Sequence, residues 1–216
     1  MSKTTLAGVA ALLAAPVVVI AATLVQPTIS NDAATQVAAI ADHHGATVVG
    51  LAISTIAAFL LIAGTIWFAY AVRRNTPQLS IAGGILGVFG MLTVLFEDGI
   101  SAAAPSLVNA LGPAPATTAL DRIGSSGAVA TLEPLTIAGA GGLTLLAIGA
   151  VKAGAPTWSA VAIAVGAFAE TAGFATGTKA VVIVGFVVLL AGLTPVVRTL
   201  VNGPSSRIAA EAVLAH

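Results

Sequence analysis

The chain has 216 residues, of which 58% are hydrophobic and 7% charged, with a mean hydropathy of +1.06. So few charges cannot cover a soluble surface, where about a quarter of residues are usually charged, so lipid must be the solvent for most of it. Eight basic against eight acidic residues and no cysteine exclude a nucleic-acid-binding face, a disulfide framework and thiolate chemistry.

In chain order, six runs approach the ~20 apolar residues that a helix needs to cross a ~30 Å hydrocarbon core. They are Leu6–Val25, Ala46–Val72, Leu79–Phe96, Ala128–Val151, Thr157–Phe174 and Ala180–Val197. None alternates as a barrel strand does, and lipid leaves no other partner for backbone amides, so the fold class is all-α: a polytopic bundle of six helices. The first run follows a single lysine and could be a signal peptide. Its length exceeds the usual 7–15-residue signal core, which favours retention as a span. Residues 1–200 then form one transmembrane domain, and 201–216 a short tail.

Lys3, Arg73, Arg74, Lys152, Arg198 and Arg207 fall on one side of this threading, and only Arg122 and Lys179 on the other. The positive-inside rule therefore predicts both termini in the cytoplasm. The inner turns "RRNTPQ" and "KAGAP" are short, as is the outer turn "ATGTK", so the helices they join should be antiparallel neighbours. Two outer segments are long. The first should hold a short helix from Asn31 to Asp42 with Ser30 as N-cap. The second has Pro105, Pro113 and Pro115 as breakers and one or two amphipathic turns around Thr117–Ile123.

Glycines crowd the third span, where Gly83 and Gly87 form a GxxxG pair beside Gly84 and Gly90, and the fourth, with Gly139, Gly141, Gly142 and Gly149. Such residues let helix backbones approach closely. Packing within one six-helix bundle is the expected use, and a face for a homo-oligomer or a membrane-protein partner the other.

The candidate site residues are acids at similar outer depth. Glu97 and Asp98 close the third span, Glu133 precedes Pro134 near the start of the fourth, and Glu170 lies one to two turns below the outer end of the fifth. His43 and His44 precede the second. Carboxylates at membrane depth are costly and tend to face a bundle interior or a wet cavity. Glu133-Pro134 marks either a true helix start, where proline is tolerated and the dipole favours a carboxylate, or a kink. In the plain reading Glu133 caps its helix, Glu97 and Asp98 sit among headgroups, and Glu170 pairs with Lys179. In the functional reading the acids and a histidine form one outward-facing pocket for a cation or small molecule, with a divalent cation as the conceivable metal. No other cofactor is expected. There is no phosphate-binding loop, no metalloprotease motif, no histidine inside a span for haem, and no mid-span lysine.

The stretches "FAYAVRRNTPQLSIAGGILGVFG", "LAIGAVKAGAPTWSAVAIAVGAF" and "AAIADHHGATVVG" together resemble multi-span membrane proteins of actinobacteria grouped as domains of unknown function. The resemblance implies a bacterial plasma-membrane protein and supplies no activity or site residues. The leading expectation is binding or transport of a cation or small molecule. The alternatives are a non-catalytic subunit or scaffold docking through glycine faces and outer loops, and a lipid-modifying membrane enzyme with a Glu/His acid–base pair.

Overall fold

The structure is a computed structural model that describes residues 2–30, 32–131 and 133–202. The tail from 203 on, with Arg207, Glu211 and His216, lies outside the described residues, as does the side chain of Glu133. Among the described residues all regular structure is helical: α1 Lys3–Val25, α2 Ala33–Asp42, α3 His44–Val72, α4 Pro77–Leu111, α5 Pro113–Gly124, α6 Gly127–Ala130, α7 Glu133–Lys152, α8 Thr157–Ala175 and α9 Lys179–Asn202. Six of these (α1, α3, α4, α7, α8, α9) are long and apolar enough to cross a membrane.

The six run round the bundle in chain order, each packed on the next, and α9 returns to α1. α7 also touches α3 and α9, which makes it the most surrounded. Its Leu143, Leu146, Ala147 and Ala150 join Leu12, Phe68, Ile163 and Leu189 in one buried core. Lipid gives apolar helices no hydrophobic reason to associate, so close backbone contact must hold them. Glycine supplies it at three seams. A side-chain carbon at Gly64 of α3 would stand 2.6 Å from Leu12 Cα of α1, and one at Gly139 of α7 would stand 3.0 Å from Gly90 Cα of α4. At α8–α9, one at Gly185 would stand 2.6 Å from Glu170 N, and one at Gly192 would stand 2.8 Å from Ser159 O. Gly83 and Gly87 are likewise occupied, by α7 and α3, so the GxxxG pair serves the chain's own bundle. In the short turns, Gly154 and Gly177 hold φ of 102° and 67°, a region that a side chain would strain.

The largest difference from expectation is α4. It does not end at Phe96 but runs on through Glu97, Asp98 and Pro105 to Leu111, 35 residues or about 52 Å. Pro105 forfeits one backbone bond, but it is buried, and the alanines before it are good helix formers. The extension is held from outside by α2 and α5. Ala33, Val37 and Ile40 of α2, Ala104 of α4, and Ala116 and Leu120 of α5 form a second small core. The two long connecting segments, between α1 and α3 and between α4 and α7, are thus a helical cap on one end of the bundle. α5 starts at Pro113 and is a full 12 residues, longer than the turns expected around Thr117–Ile123.

The α2 cap also differs from expectation. Asp32, not Ser30, is the N-cap: its Oδ2 accepts from Thr35 N at 2.7 Å and from Thr35 Oγ1 at 2.6 Å, while Ser30 Oγ accepts from Asp32 N at 3.1 Å. These Thr35 bonds hold the Asp32 carboxyl below its ordinary range. A lowered folded pKa means that the cap contributes above the ordinary pKa and is lost as pH falls through the depressed one. Asp32→Ala should speed amide exchange at Thr35 and Gln36 severalfold at neutral pH. The unsubstituted chain should show the same loosening only in strong acid.

Candidate functional site

α3 and α4 run antiparallel with Thr65 opposite Gly87, and a turn-by-turn extension of that register brings Ser54 opposite Asp98. Ser54 Oγ donates to Asp98 Oδ2 at 2.8 Å, with both residues half-buried. The depth of this pair follows from α1. Gly50 packs against Gln26 at the end of α1, so Ser54 lies about one turn inside the bundle from that level. A carboxylate so placed has lost much of its water, and the hydroxyl replaces one hydration bond. Glu97 is half-buried next to Asp98 in sequence and has an interaction of its own. Successive helix residues point about 100° apart, so the two carboxylates leave α4 in different directions.

Glu133 begins α7, with Pro134 in the first turn. The Glu-Pro pair therefore marks a helix start, where the missing proline N–H has no partner to lose. The α4–α7 register, with Gly90 at Gly139, sets the backbone of Glu133 at the height of Phe96 and Glu97. Three of the candidate positions thus occupy one level at the capped end.

Glu170 belongs elsewhere. It is half-buried on α8, whose backbone at this residue lies against Gly185 of α9. α8 packs on α7 and α9, not on the α3–α4 seam that holds Asp98. Nor is Lys179 used as expected, as a partner for Glu170. Its ammonium donates to the carbonyl of Gln26, an acceptor left open at the end of α1, and so ties the start of α9 to α1.

His43 and His44 are exposed at the α2–α3 junction, where His43 ends one helix and precedes the next. His44 is ten residues from Ser54 along α3, about 15 Å of helix, so neither imidazole is in hydrogen-bond reach of Asp98. Among the described residues no three His, Asp or Glu side chains gather as a metal-ligand group. The acid–base pair that a lipid-modifying enzyme requires is therefore not formed with Asp98.

Sequence reasoning missed Ser54, the donor to Asp98. Its signal was a lone "ST" in the apolar run of the second span. It also missed two buried hydroxyls without a hydrogen-bond partner, Thr65 on α3 and Thr136 on α7. Most other threonines in the spans bond back to the carbonyl four residues earlier, as Thr55, Thr93 and Thr144 do. Orphan hydroxyls inside an apolar bundle are natural places for water.

Comparison with known proteins finds no matching family model, no matching curated protein and no matching solved structure.

Proposed function

We propose that this protein is a multi-pass membrane protein that takes up a proton or small cation at Asp98, from the capped end of the bundle. The observation that carries the reading is the Ser54–Asp98 hydrogen bond, made between two membrane helices one turn inside the end of α1. Ionisable groups at such depth are rare and mark ion or proton paths more often than they support the fold. Glu97 and the backbone of Glu133 lie at the same height, so the acids of the sequence concentrate at this end. The concentration of basic residues at the opposite end favours a cytoplasmic location for that end, and a bacterial plasma membrane suits the resemblance noted above. The scaffold alternative has less support from the glycines, since those of the third and fourth spans, Gly141 excepted, lie against the chain's own helices.

The test is ion binding and flux on purified and reconstituted protein with protons, sodium, calcium and zinc. Asp98→Asn should weaken the response to the accepted ion about ten- to a hundredfold, the scale of losing a charged hydrogen-bonding group. Glu170→Gln, on another seam, should leave it near the unsubstituted level. An unchanged response in Asp98→Asn, or no response of the unsubstituted protein to any of the four ions, sinks the reading.

A further inference from the structure

The end opposite the cap carries a second arrangement that the ion reading does not use. Here the α3–α4 turn, residues 73–76, sits over the last turn of α7. Gly149 permits this approach: a side-chain carbon there would stand 2.7 Å from Thr76 Oγ1. Three residues on, along the same face of α7, Lys152 reaches the start of α4. The result is a cleft of about 280 Å³ lined by Asn75, Thr76, Gln78 and Lys152. Thr76 makes no side-chain cap for α4, because its hydroxyl bonds Val72 O instead, at 3.3 Å. Arg73 and Arg74, both exposed, precede the cleft on the same turn. One cation, Lys152, thus lines a small opening that Pro77 and Leu79 also border, and two more lie on the adjoining turn.

Its depth is marked by two aromatic residues. Tyr70 is 71% exposed one turn before Arg73, and Trp158 is 56% exposed just beyond the α7–α8 turn. Exposed Tyr and Trp at one end of a membrane bundle sit at the headgroup layer. The cleft is thus at the level of lipid phosphates.

An apolar groove of about 440 Å³ lies below it on the outside of the α3–α4 seam, lined by Ile66, Ala69, Ile81, Ile85 and Phe89. Gln78, Ile81, Ile85 and Phe89 form a single stripe along α4, at helical spacings of three and four residues. The cleft residue Gln78 therefore heads the stripe that floors the groove. From Ile81 to Phe89 the groove follows α4 for about 12 Å, the length of a partial acyl chain.

We infer that the cleft and groove together bind one anionic phospholipid, its phosphate between Lys152 and the Arg73–Arg74 turn and one acyl chain along α4 from Ile81 to Phe89. Charge selects the anionic headgroup, since Lys152 lines the cleft, Arg73 and Arg74 are exposed on the turn that adjoins it, and no described carboxylate lines it. The groove selects a lipid over a soluble phosphate, because only a lipid fills both halves.

The experiment compares full-length protein in dioleoyl-phosphatidylcholine nanodiscs with and without dioleoyl-phosphatidylglycerol, read by thermal unfolding and by native mass spectrometry of retained lipid. The glycerol lipid should raise the unfolding midpoint and remain bound. Each basic side chain removed, in Lys152→Gln and in Arg73→Gln/Arg74→Gln, should weaken its retention about fivefold. Arg122→Gln, in the cap, should not change it. Ile85→Trp fills the groove, leaves the cleft intact, and should weaken retention of the long-chain lipid. Equal behaviour in the two lipids overturns the inference. So does displacement of the lipid by millimolar inorganic phosphate, which would make the cleft a site for a soluble anion. An Ile85→Trp variant that retains the lipid as the unsubstituted protein does overturns the acyl-chain half.

Discussion

Gly142→Ala should destabilise the bundle, whereas Gly141→Ala, one residue away, should not. The two glycines are neighbours in the sequence and lie on different faces of α7. A methyl at Gly142 would stand 2.7 Å from Gly83 O and 2.8 Å from Gly87 Cα, and closer still to Gly87 N. All three are backbone atoms of α4, so no rotamer can yield and the helices must move apart. At Gly141 nothing lies within 4 Å. Overpacking of a tight interior typically costs about 1–3 kcal/mol, and a backbone-on-backbone seam belongs at the upper end. Alanine at Gly141 gains up to about 1 kcal/mol of helix propensity in water. The gain should be smaller here, because helices in lipid persist when the bundle comes apart. Unfolding in mixed detergent micelles should therefore show a large loss for Gly142→Ala and a change near zero or slightly favourable for Gly141→Ala. Equal losses would mean that α7 presents a different face to α4.

The spans were legible because a membrane crossing is a local property, a run of apolar residues of fixed minimum length. Thr157–Phe174 was expected and Thr157–Ala175 is found; Leu6–Val25 is extended by one turn at its start. The fourth span was placed about one turn and a half too early, at Ala128, because the apolar residues before Glu133 read as part of it. In the structure Ala128, Val129 and Ala130 belong to the separate short turn α6.

The end of α4 was illegible for a different reason. Glu97-Asp98-Gly99 and Pro105 are locally sound stop signals, and the helix continues past them where α2, from a distant part of the chain, and α5, folded back just after it, pack on it. The α8–α9 pairing was expected from the short turn that joins the two helices, but the small residues of its seam were not singled out, because Ser159, Gly166 and Gly173 recur every seven positions rather than as GxxxG. Seven-residue spacing suits a left-handed antiparallel pair, a geometry that depends on the partner helix. The candidate site divides along the same line. That each acid lies near the capped end could be read from topology. The short turns already made α3–α4 and α8–α9 neighbours; that Asp98 meets Ser54 depends on the register of the first pair and on the course of α4 past Phe96, which no single span encodes.

The second large effect separates what Asp98 does for stability from what it does for function. Ser54→Ala alone should destabilise the bundle by about 1–3 kcal/mol, because it leaves a carboxylate at membrane depth without its donor. Asp98→Leu removes the costly group itself. Combined with Ser54→Ala it gives an apolar α3–α4 seam of similar volume. Replacing a buried polar pair by well-packed apolar side chains is often neutral or stabilising, so the double variant should unfold no more easily than the unsubstituted protein. The same double variant should have lost the ion response entirely. Stability retained while the response disappears would assign the Ser54–Asp98 pair to function, since the bundle holds without it. A double variant as unstable as Ser54→Ala alone would instead make the pair a fastener between α3 and α4, its shared bond being lost once in either variant, and Asp98 would cease to be a candidate for ion binding.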